Sequence, residues 1–197
     1  MGEIRKTTEA ERREHERAQQ SPVFLEWLAG GDAALERFLT EVAPEIGALP
    51  EPYTREGLRL AVTAARSMFD DPVSAYRPEN SAVRDLFVRF YGQVYITAFG
   101  GRWVNTPYND TRGGDLFPVV EGPAFFDNYI DPEQQFGYSW LRQIGKRFPV
   151  PPEGQPVKLF DEWYEEFRRW DAAGRPDQDT WWQMYVDAAV GKVRDDE

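Results

Sequence analysis

The sequence contains no cysteine, and this absence excludes several kinds of site at once. Disulfide bridges, thiolate nucleophiles, zinc ribbons and iron–sulfur clusters all depend on that side chain. A chain without thiols suits a reducing compartment, and residues 1–20 are charged throughout, without the apolar core of a secretory signal. We therefore expect a cytoplasmic protein.

Histidine is almost as scarce, because His15 is the only one in the chain. A Ser–His–acid arrangement needs a histidine beside its nucleophile, and transition-metal sites favour imidazole or thiolate ligands. His15 lies in a charged segment, where we expect an ordinary exposed side chain. The sequence therefore favours a protein that is not an enzyme, and it predicts no metal and no cofactor; a hard cation bound by carboxylates is the alternative.

Long apolar runs and phosphate-binding loops are missing too. No stretch approaches the ~20 apolar residues that a membrane helix needs, so we predict no membrane partner. The glycine pairs Gly100-Gly101 and Gly113-Gly114 lack the lysine and the spacing of a P-loop or a dinucleotide fingerprint. Both pairs are typical of turns, and an anion site at Arg102 or Arg112 is the alternative.

The overall charge is acidic, with 34 acidic and 23 basic residues and a net charge of −11. Nucleic-acid backbones repel such a surface unless basic residues are segregated, so we predict no nucleic-acid partner. The segment Phe160–Glu197 holds eleven acidic and five basic residues. It is either a solvated surface or a face that docks on a basic partner protein, with electrostatic attraction raising the association rate.

Aromatic residues are abundant, with 7 Trp, 9 Tyr and 13 Phe in 197 residues, which is enough for one large core. Apolar side chains recur at helical spacing over most of the chain. We predict an α+β fold: a mainly helical single domain of six to seven helices, with a small antiparallel β-hairpin packed on them. Its expected parts are a charged, partly flexible helical arm over 1–20, the globular domain over 21–193 and a loose acidic tail over 194–197.

Two helices have the clearest sequence signals. Thr54 is a predicted N-cap for a helix that reaches about Asp70. Ser81 begins the strongest helix, which the glycines from Gly100 onward end. Gly92 interrupts this helix at a cost of about 1 kcal/mol relative to alanine, which indicates that another element packs closely on that side.

A β-hairpin is predicted after these helices. Arg102–Val104 and Leu116–Val120 are the two strands, and a long turn-rich loop joins them. A two-stranded hairpin alone is marginal in water, so it must pack on the helices through side chains such as Trp103. Pro118 suggests that the second strand lies at an edge of the sheet.

The loop from Asn105 to Arg112 is the best local candidate for a functional surface, since it is polar and carries the tyrosine and arginine that binding sites favour. The alternative is a structural hairpin loop, stabilised by Asn and Asp side-chain bonds to the backbone. The candidate binding residues in and beside it are Arg102, Trp103, Tyr108, Asn109, Asp110 and Arg112.

Five carboxylates are candidates for acid–base work: Asp127, Asp131, Glu133, Glu162 and Glu166, and all but Glu133 are also candidate binding residues. Acid–base catalysis needs two carboxylates held across a cleft with separated pKa values. Glu162 and Glu166 lie four apart on one helix face, which favours a solvated face over a partner-binding face or a catalytic pair. Asp131 precedes a proline and is expected to open a helix over Glu133–Arg147.

Trp181 and Trp182 are adjacent in a predicted helix. Neighbouring residues on a helix point about 100° apart, so both rings cannot face one core stripe. Trp182 fits the apolar stripe of that helix, and we therefore predict that Trp181 lies near the surface as a contact residue.

The middle of the chain resembles a family of small bacterial, actinobacterial-like proteins of unassigned function. The pattern of that family is a helix with a Gly-Glu pair, a Gly-Gly-x-Trp turn, a short strand pair and a second helix. The matching segments here are Tyr91-Gly92-Gln93-Val94, Gly100-Gly101-Arg102-Trp103, Pro118-Val119-Val120 and the helix ending at Arg147. Gln93 stands where the acidic residue of the pair would be. The resemblance implies a fold element, and immunity proteins of contact-dependent toxin systems are similar only in being small, acidic and soluble.

Three functional hypotheses follow. The leading one is a non-catalytic protein-binding or accessory protein, of immunity type in one version, which docks through acidic and aromatic surface. The alternative is a small-ligand-binding protein or hydrolytic enzyme that uses carboxylates and arginines near residues 102–131, with Asp127 or Asp131 approaching Arg102 or Arg112. A third is a self-associating protein that dimerises through Trp181.

Overall fold

The computed structural model describes residues 8–109, 114–122, 124, 129–141, 143–144, 148–149 and 151–195. These residues form ten α-helices and five short β-strands. The helices are α1 (Glu9–Gln19), α2 (Pro22–Ala29), α3 (Gly31–Arg37), α4 (Pro44–Gly47), α5 (Arg55–Met68), α6 (Pro72–Ala75), α7 (Ser81–Phe99), α8 (Pro132–Gly137), α9 (Gln155–Ala172) and α10 (Gln178–Asp195). The strands are β1 (Arg102–Asn105), β2 (Pro118–Glu121), β3 (Tyr129–Ile130), β4 (Gln143–Ile144) and β5 (Phe148–Pro149).

The predicted mainly helical α+β fold is confirmed, and so are the clearest helix ends. Helix α5 begins after Thr54, whose side-chain oxygen accepts a hydrogen bond from the Gly57 N–H at 3.3 Å. Helix α7 ends at Gly100, which has a φ of 68° in the left-handed region that glycine adopts without a steric cost. The four-residue helices α4 and α6 are single turns, too short to carry a recognisable periodicity.

Helix α7 is the centre of the core and is buried on most of its circumference. A helix with apolar residues on all sides normally lies inside a protein, and α7 packs against α3, α5, α8 and α9. Among the described residues, no helix, α7 included, is both long and apolar enough to cross a bilayer. The fully buried side chains of α7 are Phe87, Phe90, Tyr91, Val94, Tyr95 and Phe99.

The main sheet has the strand order β1-β2-β3, and both pairs are antiparallel. Strands β1 and β2 are the predicted hairpin pair, with Trp103 opposite Val120. The prediction that Pro118 marks an edge strand is wrong, because β3 pairs with the other side of β2. Strand β3 lies opposite only Val120 and Glu121, so Pro118, the first residue of β2, does not face a third strand.

A close contact between Trp103 and Gly92 attaches this sheet to α7. A β-carbon added at Gly92 would lie 1.9 Å from Cη2 of the Trp103 ring, far inside the distance that two carbon atoms tolerate. The ring can therefore lie directly on the helix backbone only because position 92 has no side chain. The close packing predicted from the glycine is confirmed.

Trp27 of α2 also contacts the Trp103 ring. Its ring meets Trp103 edge-on, with centroids 4.9 Å apart, and its indole N–H donates a 2.8 Å hydrogen bond to Oδ1 of Asp85. The guanidinium of Arg89 lies 3.9 Å from the Trp27 ring centroid and donates to the second Asp85 oxygen at 2.6 Å. These contacts hold α2 against both α7 and β1.

The continuous helix predicted over Glu133–Arg147 is wrong. Asp131 does cap a helix, since its Oδ1 accepts hydrogen bonds from the N–H groups of residues 133 and 134, but α8 ends at Gly137. A 3-10 turn follows, and its Ser139 carbonyl accepts a 2.5 Å hydrogen bond from Arg66 of α5. Strands β4 and β5 then pair, while Arg147 lies outside the described residues.

We expect the Gly92→Ala substitution to lower the free energy of unfolding by about 1–3 kcal/mol, because the new methyl group must displace the Trp103 ring. Urea denaturation followed by tryptophan fluorescence measures this change. Gly30→Ala is the matched control, since a β-carbon there would meet its nearest atoms at an ordinary 3.7 Å. Equal stability changes in the two variants would contradict the packing argument.

Candidate functional site

The first residue of the candidate loop is structural. Asn105 is fully buried, and its Oδ1 accepts a 2.8 Å hydrogen bond from the Phe117 N–H. Its Nδ2 donates to the carbonyl of Asp115 at 2.9 Å and to that of Ala18 at 3.3 Å. Side-chain bonds to the backbone therefore shape this end of the loop, as the structural alternative predicted.

Tyr108 is exposed at the tip of the described part of the loop, and its hydroxyl lies 2.8 Å from Nδ1 of His15. The expectation that His15 is an ordinary exposed side chain is wrong, because α1 packs beside β1 and brings the half-buried imidazole to this loop. Burial raises the pKa of Tyr108 to about 12, and the neighbouring Tyr129 hydroxyl and the Glu14 and Glu121 carboxylates add to the effect.

Three of the candidate residues, Asp110, Arg112 and Asp127, lie outside the described residues. Asn109 ends a 3-10 turn that begins at Pro107, and only its backbone is described. The geometry below therefore concerns the remaining candidates.

Arg102 forms its ion pair within the sheet. Its Nη2 lies 2.7 Å and its Nε 2.8 Å from Oε2 of Glu121, the residue directly opposite on β2. Asp131 caps α8 instead. Trp103 belongs to the packing against α7, so its ring acts as a structural element rather than as an open contact.

A surface cavity of about 510 Å³ lies beside Arg102, between the sheet and the turn that joins α9 to α10. Its charged groups already have partners: Arg102 is bound to Glu121, and Asp177 accepts hydrogen bonds from the Thr180 amide and hydroxyl. The Thr180 amide, followed by the hydroxyl, lowers the pKa of Asp177. Both carboxylates that line the cavity, Glu121 and Asp177, are thus already bound by neighbouring groups of the protein.

Glu162 and Glu166 each bind a cation on their own helix. Glu162 pairs with Lys158, four residues earlier, and Glu166 pairs with Arg169, three residues later. The two side chains differ in surroundings, because Glu162 is 53% exposed and Glu166 only 14%. This arrangement neither joins them as a catalytic pair nor leaves either carboxylate unpaired for a basic partner.

The same local pairing neutralises much of the acidic segment that begins at Phe160. Glu165 pairs with Arg168 and Asp171 with Arg175, again three or four residues apart on α9 or just beyond it. Asp161 is bound by Arg55 of α5 at 2.7 Å. The spacing of the local pairs is visible in the sequence. It favours a solvated surface over a docking face for this segment.

The prediction that Trp181 lies near the surface is wrong. Trp181 is 7% exposed and packs in a small apolar cluster with Ala124, Trp170 and Phe167, whereas Trp182 is half-buried. Only one of the two adjacent rings faces the core, as helix geometry requires, but it is the first. A buried Trp181 cannot serve as the dimer contact of the self-association hypothesis.

An acidic surface that the sequence reasoning missed lies at α2, α3, α4 and the loop before α5. Residues 21–54 contain six acidic residues and a single basic one, Arg37. Arg37 pairs with Glu41 at 3.4 Å, and the other five carboxylates have no ion pair among the described residues. We call these six exposed residues the acidic face: Glu26, Asp32, Glu36, Glu41, Glu45 and Glu51.

Exposed aliphatic side chains lie on α2, the helix that carries Glu26 of the acidic face. Phe24 and Trp27 fill the buried side of this eight-residue helix. Leu25 and Leu28 are then left 45% and 37% exposed, with Val23 at 47%. Tyr53, in the loop before α5, borders the face as well: burial raises the pKa of Tyr53, and the nearby Asp32 carboxylate raises it further.

Residues 8–195, with the gaps given above, contain no group of three or more His, Asp or Glu side chains placed to hold a metal ion. Comparisons of the chain with protein families, with curated proteins and with solved structures found no match. We therefore infer the function of this protein from its own surfaces.

The raised pKa of Tyr108 predicts how the stability of the protein changes at alkaline pH. This pKa of about 12 exceeds the 10.0 of an unperturbed tyrosine, so the folded protein keeps a proton that the unfolded chain loses in this range. The free energy of unfolding should therefore fall as the pH rises from about 10 toward 12. Ultraviolet difference titration and urea denaturation across this range measure the two effects.

Tyr108→Phe is the control for that experiment, since it keeps the ring and removes only the titrating hydroxyl. The variant should lose the ionisation step near pH 12 and show a weaker decline of stability with pH. An unchanged titration curve would show that the step belongs to another tyrosine.

Proposed function

We propose that this protein is a non-enzymatic binding protein that docks on a basic surface of another protein through its acidic face. One observation carries the proposal: five exposed carboxylates without ion pairs among the described residues lie within residues 21–54, the same part of the chain that exposes three aliphatic side chains on α2. An accessory protein of the cytoplasm, such as an immunity-type factor, is the form of binding protein that we propose. A nucleic acid, itself an anion, does not suit this surface.

The electrostatic part of the proposal follows from where carboxylates remain unpaired. A carboxylate with a local arginine presents almost no net field, whereas several unpaired carboxylates on one side attract a basic surface and raise the association rate by 10- to 1000-fold at low salt. On α9 each acid has a basic partner: four bind cations three or four residues away on the same helix or just beyond it, and Asp161 is bound by Arg55 of α5. On the acidic face, only Glu41 has an ion-pair partner among the described residues.

The apolar part of the proposal is supplied by α2. Protein interfaces join an apolar centre to a polar rim, and charge alone gives specificity and speed more than affinity. Leu25 and Leu28 lie three residues apart on α2, so their side chains share one side of the helix. The acidic residue Glu26 lies between them in the chain, and Asp32 follows on the next helix.

The docking hypothesis is tested by affinity capture from a native lysate at low salt. A triple variant, Glu26→Gln with Glu36→Gln and Glu45→Gln, removes three unpaired carboxylates of the acidic face. We expect it to lose the stoichiometric partner that the unchanged protein captures, and added salt to weaken capture by the unchanged protein.

The matched control removes the same number of charges from α9, through Glu162→Gln, Glu165→Gln and Asp171→Asn. This variant should retain the partner, because those carboxylates are bound to neighbouring basic side chains. Loss of capture in both variants would mean that net charge alone matters. Capture that neither variant weakens, or no stoichiometric partner at all, would contradict the proposal.

A further inference from the structure

At the outer edge of β1, one side chain of α1 covers the backbone of Asn105. Within the described part of the chain, β1 pairs with β2 on one side only, so its other side is an edge of the sheet. Both backbone groups of Asn105 are bound there by the Gln19 amide: Oε1 accepts from the Asn105 N–H at 2.9 Å, and Nε2 donates to the Asn105 carbonyl at 2.8 Å. A residue of a neighbouring antiparallel strand would form the same pair of bonds.

Among the described residues, few other contacts hold α1 in place. The Ala18 carbonyl accepts the 3.3 Å hydrogen bond from Asn105, and His15 meets the Tyr108 hydroxyl at the neighbouring turn. Ala18 is the only residue of α1 that is buried. The rest of the helix is charged or polar, so α1 contributes very little apolar area to the core.

The contacts that hold α1 against the sheet are weaker than those of the core, so α1 opens at a lower free energy. An isolated helix of eleven residues is marginal in water, so α1 depends on its docking to stay folded. Segments with few buried apolar contacts open at lower free energies than the core does. The chain also turns sharply at Ser21, before the proline that begins α2, so α1 and α2 are separate helices.

We propose that α1 is a strap that covers the outer edge of β1 and opens as a unit while the core around α7 stays folded. Opening releases the Asn105 N–H and carbonyl, the groups to which an extended segment of another chain would pair. This strap is separate from the acidic face, so either proposal can fail without the other.

Native-state hydrogen exchange of the full-length protein, followed by NMR over a series of low urea concentrations, tests the strap directly. The Asn105 amide reports on the bond to Gln19 itself. We expect this amide and those of α1 to exchange together, at least 100-fold faster than the amides of Phe87–Val94 in α7. Exchange of all these amides at one rate would show that α1 opens only by global unfolding and would overturn the proposal.

A substitution at Gln19 then tests whether this side chain holds the strap closed. Gln19→Ala should speed exchange of the Asn105 amide about tenfold, since two hydrogen bonds of the closed state are lost, and speed the α7 amides, which exchange by global unfolding from the same closed state, by no more than that factor. Gln20→Ala is the matched control, because that exposed side chain makes no hydrogen bond among the described residues, and it should change neither rate. The same Asn105 rate in both variants, or a larger acceleration in α7 than at Asn105 in Gln19→Ala, would refute the role of Gln19.

Gln19→Glu separates hydrogen bonding from packing. The substitution keeps the length of the side chain and one acceptor for the Asn105 N–H, but it replaces the donor with a carboxylate oxygen facing the Asn105 carbonyl. We expect faster exchange at neutral pH than in the unchanged protein. An Asn105 rate equal to that of the unchanged protein would show that the size of the side chain, not its donor, closes the edge.

Discussion

The contact of the Trp103 ring with the backbone at Gly92 is the constraint from which the arrangement of this molecule follows. The sheet is made of three short strands and would be marginal alone. The glycine lets the first strand approach α7 closely, and Trp27 then closes the other side of the ring. Asp85 and Arg89 bind Trp27 in turn, so one aromatic and ionic cluster joins the sheet, the central helix and α2.

The two surfaces to which we attach function are consequences of that cluster. Because Trp27 and Phe24 turn one side of α2 inward, Leu25 and Leu28 are left on the outside, in the same part of the chain as the carboxylates of α3 and α4. Because β1 has one neighbouring strand among the described residues, its second edge needs a cover, and Gln19 of α1 supplies it at Asn105. Neither surface needs a reactive side chain, which fits a chain without cysteine and with one histidine.

The charged residues show which ion pairs can be predicted from the sequence alone and which cannot. The acidic excess after Phe160 left both a solvated surface and a docking face open, yet Lys158, Arg168 and Arg169 lie three or four positions from its acids and neutralise them along the helix. That pairing was readable from the spacing. The pair of Arg55 with Asp161, which lie 106 positions apart, could not be predicted from the spacing. A shortage of basic residues near an acid therefore does not establish that the acid is unpaired until the fold is known.

By itself the sequence determined the helical α+β class, the ends of α5 and α7, the close approach at Gly92 and the scarcity of catalytic groups. These depend on local chemistry: a threonine cap, a left-handed glycine, a missing side chain, and residue types that are simply absent. Only the tertiary structure decided that Trp181 faces the core, that Pro118 begins a central strand and that Gln19 covers the edge of β1. Each of these depends on which distant segment lies alongside, and the sum of many weak packing contacts, rather than any local pattern, selects that neighbour.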